Sequence, residues 1–213
     1  MQQARVLEIR SLSGSTFCVK LERNNFKFIP GQCVNIGLAG SAINREYSTY
    51  SGIHDNYLEF LIRKVKDGAV STGLSQLKPD REVTLDGAYG KFTIANPAKK
   101  QKYVFIGTGT GIAPFHSYVK SYHKIDYQII HGIRSGSEQY DRKDYGKDRY
   151  TACVSKGKGG DFSGRVTEYL KKITLSLDAL YYLCGNRAMI NDVYDILRIK
   201  GVNGSNILTE VFF

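Results

Sequence analysis

Cysteine is scarce in this chain and never clustered. The four cysteines stand at 18, 33, 153 and 184, and the closest two lie 15 positions apart. Structural zinc and iron–sulfur clusters need short ligand spacings, so no metal site is expected. Long apolar runs are missing too. No window reaches the roughly 18 apolar residues of a membrane span, and the opening MQQARVLEIR lacks the apolar stretch of a signal peptide. The expectation is a cytoplasmic protein that does not engage a membrane, with its thiols reduced. Internal repeats and low-complexity tracts are absent.

Acidic residues are in deficit. Lysine and arginine number 30 against 20 aspartates and glutamates, a formal charge of +10. Such a balance favours an anionic partner: nucleic acid, a phosphorylated cofactor or an acidic protein. Residues 1–97 carry 12 basic and 9 acidic side chains, residues 98–213 carry 18 and 11. The second part should therefore meet the larger anion, although a solvated basic surface with no assigned partner accounts for the same numbers. With 42% hydrophobic and 23% charged residues, the 213-residue chain has the material for a real core, in one large domain or two small ones.

The texture changes at Asn96-Pro97-Ala98-Lys99-Lys100. Before it, ARVLEIRSLS, TFCVKLER, QCVNIGL, REYSTYS, LEFLIRKV, EVTLDGA and KFTIA read as strands, broken by turns such as Ser13-Gly14, Asn24-Asn25, Pro30-Gly31 and Asp67-Gly68. One short helix is expected from Ser71 to Leu77. This pattern predicts an antiparallel barrel or sandwich. After the boundary, strands YVFIG, YQIIHG, YTACVS, ALYYLCG and NILTEVF alternate with helices at Ala113 to His123, SGRVTEYLKK and Arg187 to Lys200. Alternation of this kind predicts βαβ units and a parallel sheet. Ser135 to Arg149 is polar and aperiodic, and reads as a surface loop. The predicted domains are 1–97 and 98–213.

The strongest local signal is Gly107-Thr108-Gly109-Thr110-Gly111-Ile112-Ala113-Pro114-Phe115. It follows a strand and opens a helix; glycines allow tight turns and close ligand approach, and free N–H groups at a helix start attract phosphate. It is neither the Rossmann fingerprint nor a P-loop. Arg45-Glu46-Tyr47-Ser48 offers a cation, an aromatic face and a hydroxyl on one strand, a pattern that by itself is more often structural. Gly68-Ala69-Val70-Ser71 enters the single helix of the first part, a plausible pyrophosphate seat with Ser71 as cap or ligand. Cys184-Gly185-Asn186-Arg187-Ala188-Met189 ends a strand where parallel sheets place ligands. In isolation, Cys184 would be a core thiol and the terminal Glu210-Val211-Phe212-Phe213 a packed strand.

Taken in order, these five elements make the chain resemble the ferredoxin–NADP+ reductase superfamily of flavoproteins over nearly its whole length. The resemblance implies a six-stranded antiparallel flavin barrel followed by a five-stranded parallel domain for the pyridine nucleotide, with FAD and NADP(H) as cofactors. It implies that Arg45 pairs with the flavin pyrophosphate, that Tyr47 stacks on the isoalloxazine and that Ser48 offers its hydroxyl near flavin N5. Ala69, Val70 and Ser71 would supply donors to the pyrophosphate, and Thr110 would line the seam between domains. Phe212, or Phe213 if the register differs, would cover the face that the nicotinamide must approach. Cys184 and Glu210 would flank the reacting carbon and relay protons with Ser48. Gly109, Gly111, Gly185 and Asn186 would contact the nucleotide. Arg187 departs from the proline commoner at that place in the family.

The ribose 2′ position separates NADP from NAD, since NADP needs cations and NAD favours a carboxylate. Ser155, Lys156 and Arg165 match the positions of the bacterial relatives' phosphate-binding residues, Arg134 stands close in sequence to a strand end, and Asp161 reads as a loop residue. NADP is the expected nucleotide. The acceptor would be a small one-electron carrier, ferredoxin or flavodoxin, whose acidity suits the charge of this chain; FAD divides a two-electron hydride between single-electron steps. A monomer is expected. The alternative in the same class is a reductase component serving an oxygenase. A non-catalytic nucleic-acid-binding module would leave the five elements unexplained and lacks a basic-helix or RNA-binding signature. An electron-transfer subunit of a larger complex would carry a terminal cysteine cluster.

Overall fold

The computed structural model describes residues 2–212. The chain forms two compact units. One takes in the chain up to Ala95 together with Ala113–Ser121; the other takes in Asn96–Ile112 and the chain from Tyr122 onward.

The first unit contains strands β1 (Gln2–Ser13), β2 (Thr16–Glu22), β3 (Cys33–Leu38), β4 (Asn44–Ser48) and β5 (Tyr57–Arg63), helix α1 (Ala69–Ser75) and strand β6 (Glu82–Tyr89). The strands pair antiparallel in the order β4-β3-β6-β1-β2-β5. Just past β4, a bridge from Thr49 to Phe60 and a 2.7 Å hydrogen bond from Tyr50 N–H to the Glu59 carbonyl bring that end of the sheet onto β5. The six-stranded antiparallel expectation is met. The inward residues Val6, Val19, Leu21, Val34, Ile36, Leu58, Phe60, Val83 and Leu85 form one buried core, which the strand alternation predicts. Asn24 and Asn25 both take left-handed conformations (φ 43° and 62°), tolerated by asparagine at a tight turn.

KFTIA is not a strand. Residues 91–95 run irregularly, with Phe92 and Ile94 buried. The Phe92 carbonyl accepts the Tyr118 hydroxyl hydrogen bond and its ring lies 6.2 Å from that of Phe115, so this segment packs on a helix instead of pairing in the sheet. That helix, α2 (Ala113–Ser121), belongs to the first unit by its contacts. His116 Nδ1 donates to the Tyr50 carbonyl at 2.7 Å, Ser117 Oγ to the Ser51 carbonyl at 2.7 Å, and Ser121 Oγ accepts from Ile53 N–H at 3.0 Å.

The second unit contains β7 (Lys102–Thr108), β8 (Asp126–Ile133), β9 (Tyr150–Val154), β10 (Phe162–Ser163), helix α3 (Val166–Lys172), β11 (Leu180–Gly185), helix α4 (Arg187–Ile199) and β12 (Ile207–Val211). All pairs are parallel, in the order β10-β9-β8-β7-β11-β12. The sheet has six strands where the sequence suggested five; β10 is too short to leave a hydrophobic pattern. Both faces of the sheet are buried, the reason YVFIG and LYYLCG read as unbroken apolar runs. Val104, Ile106, Ile130 and Leu183 pack with Leu170, Val193 and Leu197 from α3 and α4. Tyr103, Phe105, Tyr127 and Tyr182 make a chain of aromatic contacts at 5.8–6.2 Å.

The polar stretch 135–149 is more than a surface loop. It contains two short 3-10 turns, Gly136–Glu138 and Arg142–Asp144, and buries Tyr140 and Tyr145. The Tyr145 ring stacks on Tyr150 at 5.2 Å, so two aromatics anchor an otherwise hydrophilic excursion to β9. No helix among the described residues is long and apolar enough to cross a membrane.

Candidate functional site

In the first unit, β4 carries Arg45, Tyr47 and Ser48. Their register partners on β3 are Ile36, Val34 and Cys33, so Arg45 and Tyr47 share one face and Ser48 lies on the other. Arg45 is exposed and donates from Nη1 to the Asn44 carbonyl at 2.7 Å. Tyr47 packs partly on the core; its burial pushes the phenol up to about 12, so it stays neutral at physiological pH. Ser48 is buried.

Helix α1 begins at Gly68, with Ala69 exposed and Val70 and Ser71 buried. Gly68 is the N-cap and no side chain caps it, which leaves first-turn N–H groups of the kind that bind anions. Ser71 is not the cap. Its hydroxyl accepts from Val65 N–H at 3.1 Å, fastening the helix to the turn that precedes it. Glycine is needed at 68 for room: a Cβ there would stand 2.9 Å from Ser71 Oγ and 3.0 Å from Val65 Cβ.

In the second unit, the chain leaves β7 toward β8 on one side and later returns to β11 on the other. This reversal falls between β7 and β11, and open α/β sheets bind ligands beyond the C-terminal strand ends at such a point. Two of the sequence elements meet there. The glycine turn makes a 3-10 turn, Gly109–Ile112, in which Gly109 adopts φ +55° and Thr110 is half-buried. Gly111 lies against the end of β11, where any Cβ would collide with the Cys184 carbonyl and stand 3.0 Å from Gly185 Cα. Gly185, at φ +141°, lies under Thr108 Oγ1. Asn186 caps α4, accepting from Met189 N–H at 2.9 Å, and its amide reaches Thr108 Oγ1 at 3.4 Å.

Cys184 is fully buried and pairs in register with Glu210 on β12. Burial, with the Glu210 charge beside it, raises the thiol well above its ordinary value, so it keeps its proton. Phe212 N–H donates to the Gly185 carbonyl at 2.8 Å, which ties the C-terminal aromatic to the same strand end. Phe213 lies outside the described residues.

Arg134, Lys156 and Arg165 follow the ends of three adjacent strands. Lys156 N–H donates to the Arg134 carbonyl at 3.0 Å; Gly164 N–H donates to the Val154 carbonyl at 2.8 Å, next to the Val154–Ser163 register pair. All three side chains are exposed. Ser155 Oγ donates to the Ile133 carbonyl at 3.1 Å. The neighbouring acids bind backbone or Arg142. Glu138 accepts from Arg134 N–H at 2.9 Å, Glu168 from Arg165 N–H at 2.7 Å, and Asp161 pairs with Arg142 at 2.8 Å and accepts from Ala152 N–H at 2.8 Å. Asp161 is thus a fastening for the loop after β9. Sequence reading missed this latch and also missed His131, a buried imidazole bonded to the glycine turn. The available signal was a histidine inside the apolar run YQIIHG.

Residues 3–94 match the oxidoreductase FAD-binding domain and residues 105–195 the oxidoreductase NAD-binding domain. The chain is 31% identical to the toluate 1,2-dioxygenase electron transfer component of Pseudomonas putida, covering 99% of this chain and 67% of that protein. It is 28% identical to ferredoxin–NADP reductase A of Sorangium cellulosum, over 94% of this chain and 84% of that one. The fold is shared with a ferredoxin NADP+ reductase from Neisseria gonorrhoeae solved with FAD and NADP (TM-score 0.86, 21% identity, 100% and 98% of the two chains). By these matches the chain belongs to the ferredoxin–NADP+ reductase superfamily of FAD- and NAD(P)-binding oxidoreductases.

Proposed function

We propose that the chain is an NADP(H)-dependent reductase that passes electrons singly to a small acidic carrier, ferredoxin or flavodoxin. The observation that carries the nucleotide choice is the run of Arg134, Lys156 and Arg165 past adjacent strand ends, with the nearby carboxylates bound to backbone or to Arg142. Three exposed cations past adjacent strand ends suit a 2′-phosphate. Residues 1–97 are assigned to flavin and 98–213 to the nucleotide.

The flavin set in the first unit is Arg45, Tyr47, Ser48, Ala69, Val70 and Ser71. The residues fit the group: an exposed guanidinium for a phosphate, a neutral aromatic ring on the same strand face, and a helix start without a side-chain cap. When bound, FAD supplies the conversion between two-electron and one-electron transfer. The residues around the nicotinamide would be Gly109, Gly111, Gly185 and Asn186; the space where a Gly109 Cβ would stand is open, while Gly111 and Gly185 let the turn pack closely on the end of β11. Cys184 would hold a proton on its sulfur, with Glu210 beside it as the acceptor or donor that exchanges protons with solvent.

The test is direct. The purified protein should be yellow, heat release should yield FAD, and NADPH should reduce the flavin at lower concentration than NADH, with ferredoxin or flavodoxin then reoxidising it. A protein that cannot be loaded with flavin defeats the reading. Preference for NADH, with reoxidation only by an oxygenase component, favours the second reading, which the relative from Pseudomonas putida supports.

A further inference from the structure

β8 carries an imidazole into the interior of the sheet. His131 is fully buried, with Nε2 2.8 Å from the Gly109 carbonyl oxygen and Nδ1 2.7 Å from the Tyr150 hydroxyl. A carbonyl oxygen only accepts, so Nε2 carries the hydrogen and the phenol donates to Nδ1. One tautomer satisfies both contacts. Burial holds the imidazole down at about 4, so it is neutral at physiological pH. The Tyr150 ring meets it edge-on at 5.9 Å, and the Tyr140 ring lies 6.2 Å away.

Gly109 needs such a partner. It sits at φ +55°, and apart from its chain neighbours no atom lies within 4 Å of where its Cβ would be, so nothing packs on that side of it. In a trans peptide the C=O and the following N–H point in opposite directions. With the Gly109 oxygen held on His131, the Thr110 N–H is turned away from the sheet interior. A flipped peptide would leave the buried Nε2–H unpaired, at a cost that disfavours it.

We propose that His131 is a positioning residue for the nicotinamide nucleotide: it fixes the Gly109–Thr110 peptide so that the Thr110 N–H faces the ligand, and Tyr150 fixes the tautomer that makes this possible. The inference rests on the reading that the glycine turn binds the nucleotide.

The experiment uses the full FAD-loaded chain and calorimetric titration with NADP+, which requires no turnover. His131→Leu should weaken NADP+ binding roughly tenfold, the loss expected of one buried hydrogen bond, with flavin occupancy kept. His131→Gln, whose amide can donate from near the Nε2 position, should restore most of the affinity. Tyr150→Phe should lie between. In steady state, His131→Leu should raise KM for NADPH far more than it lowers kcat. Nitrogen-15 shifts of the wild-type imidazole should show the neutral Nε2–H form. Wild-type affinity in a folded His131→Leu protein overturns the proposal, as does His131→Gln binding as weakly as His131→Leu. Should His131→Leu fail to fold, unchanged affinity in Tyr150→Phe together with an Nδ1–H wild-type tautomer overturns it. A wild-type protein that binds neither NADP+ nor NAD+ defeats the nucleotide reading itself, before any variant is made.

Discussion

Gly111 rests directly on the Cys184 peptide: a Cβ built on this glycine would stand 2.7 Å from the Cys184 carbonyl carbon. Two segments 73 positions apart in the sequence therefore touch backbone to backbone, at the point where the strand order reverses. This contact brings together two motifs that stand apart in the sequence.

The contact predicts a graded glycine series. Gly111→Ala forces backbone to move and should cost about 1–3 kcal/mol, the range for overpacking a closed site. Gly109→Ala meets nothing but keeps an unfavourable left-handed φ, about 1–2 kcal/mol. Gly14→Ala has open space and no such φ and should be near neutral. Thermal melts should rank the three in that order, and Gly111→Ala melting with the wild type would mean the turn is looser than described.

Arg45→Ala should weaken flavin retention more than it slows turnover of the protein that stays loaded. The guanidinium is exposed, so its phosphate contact belongs at the weaker end of charge-assisted hydrogen bonds, roughly tenfold in affinity. Flavin content after dialysis measures this, and full occupancy in the variant would remove Arg45 from the site.

The motifs were legible because their chemistry is local. Gly107 to Phe115 and Arg45 to Ser48 carry their signal in adjacent residues, and the two sheet types follow from the change from alternating to continuous apolar strands. KFTIA misleads because Phe92 and Ile94 are buried without pairing in the sheet, Phe92 against a helix from elsewhere in the chain, and β propensity reports burial as much as pairing. Asp161 looked like a loop acid because its partner, Arg142, sits in a stretch with no periodicity. His131 was hidden for a similar reason: its value lies in a bond to Gly109, 22 positions away.

A buried neutral histidine also predicts acid sensitivity. Its folded pKa, about 4, lies below the ordinary 6.5, so the unfolded chain binds the extra proton between those values. Stability from this group is complete above about pH 6.5 and is lost as pH falls toward 4, by up to about 3 kcal/mol. His131→Gln should flatten the stability profile in that window relative to the wild type. Parallel urea midpoints from pH 7 to 4 are the measurement, and identical slopes in the two proteins would contradict a neutral His131.

Cys184→Ser and Glu210→Gln should each slow flavin reduction by NADPH while the flavin stays bound. The serine variant keeps a protonated group in a smaller, more polar form, whereas the glutamine removes the titratable carboxyl, so Glu210→Gln should also lose part of the pH dependence of the rate. Stopped-flow absorbance reads both. Wild-type rates in the two variants would leave Cys184 as a core thiol and Glu210 as a strand residue.

Nucleotide choice is the most exposed prediction, because Lys156 and Arg165 are themselves exposed. Removing both should raise KM for NADPH and leave NADH nearly unchanged, since NADH has no 2′-phosphate to lose. Each cation should contribute roughly fivefold to tenfold, and the two effects need not multiply, because both would hold one phosphate. Added salt should shrink the wild-type preference as screening weakens exposed ion pairs. Arg134 gives an internal check: its backbone is fixed by Glu138 and Lys156, so Arg134→Ala removes charge without freeing the loop. Should the double variant Lys156→Ala/Arg165→Ala keep its NADPH preference while Arg134→Ala loses it, the phosphate is held at the end of β8 and not past β9 and β10. Should the unmodified protein prefer NADH, the cations serve the surface alone and the oxygenase-reductase reading takes its place.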